Sequence, residues 1–372
     1  MKSRLDAVAD RLGPLARRDA PLGARTTYRV GGNAAVLVEA RSIEDLARVA
    51  EALETAGSVQ ALVVGRGSNL LVSDRGFDGV AVVLAGDFEA IDPVVVAENA
   101  TLAVRAGGAV ALPVLARRCA DQGQVGLEWA VGVPGSVGGA VRMNAGGHGN
   151  DTAASLRVAE VFDLRTGTSA LRAPASLELS YRHSNLLRHE VVTAATFSVT
   201  RGDRAAARER IADVVRWRRE HQPGGPNCGS VFQNPNGDHA ARLIEAVGAK
   251  GRRRGTASIS VKHANFIQAD TEGRADDVAA LIAEVRDLVE AQTGVALRTE
   301  VVFVGFKACR CAPPTPRPRR TWGARRTRLA HPRPRVDAGA GPWSPASSSR
   351  SSSGCRPRAT RPCTPGCSPR RR

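Results

Sequence analysis

Three polar side chains stand in surroundings that mark them for chemistry. Ser230 lies in "PNCGSVFQNP" (226–235), between a glycine and an apolar run, with no histidine–acid pair nearby to turn it into a nucleophile. A hydroxyl there is a weak acid or a turn former. Arg182 in "YRHS" (181–184) offers a planar fork of donors that matches a carboxylate. Glu300 lies in the strand-like run "LRTEVVF" (297–303), where alternation puts Arg298, Glu300 and Val302 on one face and packs Val301 and Phe303 behind them. Taken singly, all three have ordinary explanations: a serine after glycine in a turn, a solvated charge, and an edge charge that discourages aggregation.

Two glycine-dense stretches add a second kind of chemistry. "VVGRGSNLLV" (63–72) places a G-x-G directly after a strand-like run, yet Leu70 stands where a dinucleotide fingerprint needs its third glycine, and no helix follows. The Rossmann reading therefore fails. A strand–loop–strand over Gly65, Arg66, Gly67, Ser68 and Asn69 still presents successive N–H groups to a phosphate, the alternative being a tight turn in a meander. "GLEWAVGVPGSVGGAVRMNAGGHG" (126–149) carries more backbone freedom than a connecting loop requires. Ordering it costs conformational entropy, and a large flat ligand lying on bare backbone would offset that cost.

The elements that must position these groups follow from periodicity. "SIEDLARVAEALETAG" (42–57) reads as a helix capped by Ser42, with Ile43, Leu46, Val49 and Leu53 on one stripe and a stop at Gly57. Strands are expected at 61–64, 69–72, 79–84 and 101–106, and a helix over about 110–122. A long polar helix (203–223) reads as a connector ending at Pro223. Beyond it come a short helix through Ala240, Leu243, Ile244 and Val247, a strand pair near "SIS" and "NFIQA", a helix with Val278, Leu281, Ile282, Val285, Leu288 and Val289 at 3–4 spacing, and a final strand "VALRTEVVFVGF". The pattern is α+β, with a larger unit at 23–201, a smaller one at 203–306, and no internal repeat.

Composition separates body from tail. Residues 308–372 hold 16 of the arginines and a single acid, Asp337, so they carry +15 of the formal +17 and leave the body near neutral. That stretch is rich in Arg, Pro, Ser and Gly and reads as disordered, with weak polyanion binding as its one expected activity. Five of the seven cysteines lie there too, leaving Cys119 and Cys228 in the body, too few for a disulfide framework. No zinc-type spacing, signal peptide or 18-residue apolar run is present in the sequence, and a cytoplasmic location is expected.

Seven stretches taken together resemble one family: "TTYRVGG" (26–32), "GRGSNLLV", "GLEWAVGVPGSVGGAVRMNAG", "YRHS", "GSVFQNP", "KHANFIQAD" and "LRTEVVFVGF". In order and spacing, over about residues 20–306, they are similar to the UDP-N-acetylenolpyruvoylglucosamine reductase (UDP-N-acetylmuramate dehydrogenase) family, flavoenzymes of peptidoglycan precursor synthesis. The resemblance implies an FAD-binding fold of the p-cresol methylhydroxylase type with a smaller substrate-binding domain appended. It implies FAD contacts at Gly65, Arg66, Gly67, Ser68, Asn69 and Leu70 for the pyrophosphate. Gly132, Val133, Pro134, Gly135, Ser136, Gly138, Gly139, Asn144, Ala145 and Gly146 are implied for the flavin's other contacts. No His or Cys lies in "GRGSN", where wider relatives tether FAD, so noncovalent FAD is expected.

The implied reaction has NADPH reduce FAD, after which hydride reaches C3 of the enolpyruvyl group of UDP-N-acetylglucosamine enolpyruvate. By the same resemblance Ser230 is the proton donor at C2, Arg182 holds the substrate carboxylate and Glu300 is the catalytic acid. Asn234 matches a substrate-facing asparagine, His263 falls near a polar contact for the UDP-sugar, and His221 stands where members carry a lysine. "NAGGHG" departs from the family's "NAGAYG", which leaves the ring packing at His148 open and puts His148 at the surface. No protein partner or membrane segment is implied. Two other readings stay in competition: another FAD-dependent oxidase or dehydrogenase on the same fold, which needs no Arg182–Ser230–Glu300 set, and a basic nucleic-acid binder acting through the tail.

Overall fold

A computed structural model describes residues 2–95 and 102–307, so the expected tail at 308–372 lies outside the described residues. Helix α1 (Lys2–Leu12), strand β1 (Ala16–Pro21), β2 (Asn33–Ala40), α2 (Ile43–Ala56), β3 (Ala61–Val64), β4 (Leu70–Val72) and β5 (Phe77–Leu84) form a first lobe. Its sheet runs β1-β2-β5-β3, antiparallel at β1–β2 and parallel elsewhere. Ser42 caps α2 by accepting from the Asp45 N–H, and Gly57 ends it at a φ of +73°. Leu46, Val49 and Leu53 are buried as the stripe predicts, while Ile43 remains exposed. The sequence reading starts this unit at residue 23, but α1 packs on α2 through Leu5, Val8 and Leu12, and β1 zips onto β2 from Ala16↔Val38 to Pro21↔Asn33.

The second lobe comprises β6 (Ile91–Val95), β7 (Leu102–Gly107), α3 (Leu112–Asp121), β8 (Gln124–Val125), α4 (Val137–Met143), β9 (Gly146–Gly147), β10 (Asn150–Asp151), α5 (Thr152–Ser155), β11 (Leu156–Asp163), β12 (Thr168–Arg172), β13 (Glu190–Arg201) and α6 (Arg204–His221). Its antiparallel sheet runs β12-β11-β13-β7-β6, with β8 on the far end of β13. The polar α6, expected as a connector, instead buries Ala207 and Ile211 in this lobe's core, with Val214 and Val215 against it. Three or four apolar residues on an otherwise charged helix suffice once a groove is offered to them.

The third lobe holds α7 (Ala240–Ala246), β14 (Arg253–Arg254), β15 (Ala257–Ile259), β16 (Ile267–Ala269), α8 (Ala275–Thr293) and β17 (Val302–Val304). Helix α8 buries Val278, Leu281, Ile282, Val285 and Val289 over the β14-β15-β16 meander, with Leu288 partly covered. The expected final strand over 295–306 shrinks to β17, which pairs in parallel with β4 of the first lobe, Val302 facing Leu70 and Val304 facing Val72. Tyr28, Val30 and Leu71 of the first lobe belong to the third lobe's core. The chain segment carrying Glu300 is thereby delivered to the edge of the first glycine loop.

Candidate active site

Residues 65–69 link β3 to β4 as a bare loop held against the body. The Gly67 carbonyl accepts from the Thr27 N–H at 3.2 Å, and Gly67 adopts a φ of +63°. A Cβ on Gly67 would stand 2.5 Å from the Arg25 carbonyl oxygen, and one on Gly65 would stand 2.4 Å from Ser136 Oγ. Gly67 is therefore required by close approach to backbone, while Gly65 sits tightly against the Ser136 hydroxyl. Ser136 belongs to the second glycine block, so the loops of the two lobes meet here. That block is fastened by Leu112 N–H to Gly135 O at 3.0 Å, Val137 N–H to Val110 O at 2.9 Å and Gly138 N–H to Gly108 O at 2.9 Å.

The loops open on a cleft of about 1830 Å³, roughly twice what a single small-molecule site needs at about 300–1,000 Å³. Of the residues assigned to the cofactor, Gly65 to Leu70, Gly132 to Ser136, Gly139, Ala145 and Gly146 line it. Gly138 and Asn144 are not among them. Gly138 backs onto the second sheet, where a Cβ would meet Val192 O at 3.1 Å. Buried Asn144, at a φ of +39°, commits its amide internally: Nδ2 donates to Asp151 Oδ2 (3.1 Å) and Ser180 O (3.0 Å), and Oδ1 accepts from Ala153 N–H.

Arg182, Ser230 and Glu300 all line the same cleft although 48 and 70 residues separate them along the chain. Ser180 and His183 exchange backbone hydrogen bonds around a tight turn, with Arg182 at a φ of +55°, a conformation costing a non-glycine residue about 1–2 kcal/mol. The side chain offsets that strain through two anchors. Nε sits 2.7 Å from Glu300 Oε1, and Nη2 donates to Gly146 O at 3.1 Å. Nη1 and the second Nη2 proton stay available to an incoming carboxylate. Burial pushes the Glu300 carboxyl above its ordinary range, and Arg182 pulls it part of the way back. Cys228, two residues before Ser230, also lines the cleft, and burial pushes its thiol up to about 12.

The three residues assigned to substrate lie elsewhere. Asn234 Oδ1 accepts from the N–H of Ala240, the first residue of α7. His263 sets its ring edge against Phe266 and accepts from Asn265 N–H, with burial lowering its basicity. His221 stacks on Trp217 with ring centroids 4.6 Å apart, and its Nδ1 contacts Trp217 O at 2.8 Å. None of these three is among the residues lining the cleft; Arg218 and Gln222, flanking His221, are. His148 keeps a ring contact, edge-on to Trp217 at 5.1 Å, and lies exposed at the surface as the sequence reading expects. Residue patterning missed Asn265, whose side chain grips the backbone of Phe232 from outside the cleft.

The residues present suit a dinucleotide. Two opposed loops expose backbone where Cβ atoms would collide, and the buried Thr27 hydroxyl on the cleft wall has no hydrogen-bond partner among the described residues. A family model described as "FAD binding domain" matches residues 34–169, which defines the class: a flavoprotein with the p-cresol methylhydroxylase type of fold. A second, described as "UDP-N-acetylenolpyruvoylglucosamine reductase, C-terminal domain", matches residues 220–304. The UDP-N-acetylenolpyruvoylglucosamine reductase of Rubrobacter xylanophilus is 40% identical over 304 residues, covering 81% of this chain and 99% of the relative. That of Thiobacillus denitrificans is 41% identical over 297 residues, covering 77% and 90%. The solved structure of the Thermus caldophilus enzyme superposes with a TM-score of 0.66 at 34% identity, covering 77% of this chain and 97% of that one. The chain belongs to the UDP-N-acetylenolpyruvoylglucosamine reductase family.

Proposed function

We infer that this protein reduces UDP-N-acetylglucosamine enolpyruvate to UDP-N-acetylmuramate with NADPH through FAD, a step in peptidoglycan precursor synthesis. The observation that carries the reading is the Arg182–Glu300 pair at 2.7 Å, in one cleft with Ser230 and both glycine loops. Gly65 to Leu70 and Gly132 to Ser136, with Gly139, Ala145 and Gly146, would hold FAD without a covalent tether. When bound, FAD supplies the chemistry the side chains lack, taking hydride from NADPH and returning it to C3 of the enol double bond.

Hydride addition at C3 drives the double-bond electron pair onto C2 and into the adjacent carboxylate. The free Nη protons of Arg182 meet that charge, strengthening as it grows. Glu300 fixes the guanidinium in its strained turn, and its raised affinity for a proton lets it donate toward the same developing charge. Ser230 then gives its proton to C2 and is reprotonated from solvent, completing a net addition of hydride and proton across the double bond. A serine suffices because the carbanion-like carbon it meets is a strong base. We propose the cytoplasm as the compartment.

The test is spectroscopic. Purified protein is expected to be yellow, to bleach with NADPH and to recolour with the enolpyruvyl UDP-sugar. In Ser230→Ala, bleaching should persist while recolouring slows by a factor on the order of 100 or more. Equal loss of both half-reactions would remove Ser230 from the proton-donor role, and bleaching by an alcohol followed by recolouring with oxygen alone would favour an oxidase of the same fold.

A further inference from the structure

The placement of Ser230 depends on a residue outside the cleft. On its N-terminal side the chain is loosely held: Gly229 has a φ of +79°, open space where its Cβ would be, and a bond only from its N–H to Asn227 Oδ1. On its C-terminal side Val231 and Phe232 are clamped. The Val231 N–H donates to the Asn265 carbonyl at 2.9 Å, the Phe232 N–H donates to Asn265 Oδ1 at 2.9 Å, and Asn265 Nδ2 donates to the Phe232 carbonyl at 2.8 Å. Asn265 is only 3% exposed.

The opposite edge of the same segment carries the acid. Glu300 N–H donates to Val231 O at 2.8 Å, and Gln233 N–H donates to Arg298 O at 2.9 Å. Asn69, in the first glycine loop, donates from Nδ2 to Glu300 O at 3.0 Å, while its own carbonyl accepts from Val302 N–H at 3.0 Å. Residues 231–233 thus form a short rail between Asn265 and the Glu300 segment. An asparagine suits this site because it offers one donor and one acceptor at the spacing of a single residue's N–H and C=O. A buried amide with both functions satisfied fixes its partner tightly, since no water competes for the bonds.

We propose that Asn265 is a positioning residue for the reaction, holding the Ser230 hydroxyl at the proton-transfer position through Val231 and Phe232. The proposal rests on Ser230 being the proton donor, so Ser230→Ala is run beside it. In flavin-loaded Asn265→Ser, bleaching by NADPH is expected to stay within about twofold of wild type. Recolouring by the enolpyruvyl UDP-sugar is expected to slow about 10- to 100-fold, the scale of a misplaced catalytic group. The solvent deuterium isotope effect on recolouring should rise, because proton transfer becomes the slower event.

Equal slowing of both half-reactions, or unchanged recolouring, overturns the proposal if Ser230→Ala is selective. If Ser230→Ala is not selective, the proton-donor reading itself has failed. Should Asn265→Ser not hold flavin, amide hydrogen exchange on the wild-type enzyme decides. Amides 231 and 232 are expected to be protected well beyond Gly229, and exchange as fast as Gly229 would refute the clamp.

Discussion

At the scale of single residues, Glu300 sits in an environment unlike that of a free side chain. Burial raises its pKa, and the 2.7 Å contact with Arg182 opposes that rise without cancelling it. The folded protein therefore binds this proton more tightly than the unfolded chain does, where a glutamate titrates near about 4.3. The contribution is fully present below that unfolded value and is lost as pH rises through the higher folded one. Glu300→Gln has no such ionisation. The melting temperature of wild type minus that of Glu300→Gln is thus expected to fall between pH 4 and pH 7, read by scanning calorimetry across that range. A difference that grew with pH would mean that the ion pair outweighs burial. Neither the ionisation nor the pairing was legible from Glu300 or Arg182 in isolation, because their partners are more than a hundred residues apart. Only the joint order of the seven motifs brought them together.

Elements show where local sequence suffices and where it does not. Helix α2 was legible to the residue because Ser42, the apolar stripe and Gly57 are all local signals. Strand β1, "ARRDAP", was not, since an edge strand paired only to β2 needs no apolar alternation of its own. The final strand was read as longer than β17 because its strand-like pattern starts at Val295, well before the three residues that pair with β4. Asn234 is the case with a consequence for function. Resemblance gives it to the substrate, and its side chain accepts from the first N–H of α7. Asn234→Ala is expected to cost about 1 kcal/mol of stability, the usual worth of one hydrogen bond. Asn234→Asp keeps the acceptor and should retain both stability and KM for the UDP-sugar. A KM raised tenfold in Asn234→Asp with unchanged melting would return the residue to the substrate.

At the scale of the whole molecule, three lobes enclose a cleft every one of whose lining residues falls between Thr27 and Lys307. The Rubrobacter xylanophilus relative spends 99% of its length on a match that covers 81% of this chain. Among the described residues, the cleft lining ends before the arginine-rich stretch begins. Removing residues 308–372 takes the formal net charge from +17 to +2. Truncation after Lys307 should leave kcat and KM for NADPH and the UDP-sugar within about twofold, because the described cleft lining lies within residues 27–307 and charge effects decay over about 8 Å at physiological salt. The same truncation should abolish any retention on heparin or binding to duplex DNA. In the full chain that binding should weaken steeply with added salt, as expected when arginines displace counterions from a polyanion. The two readouts separate the chemistry from the charge. A truncated enzyme that bleached with NADPH but no longer recoloured with the enolpyruvyl sugar would place part of the tail in the substrate's path, and the cleft as drawn from residues 27–307 would be incomplete.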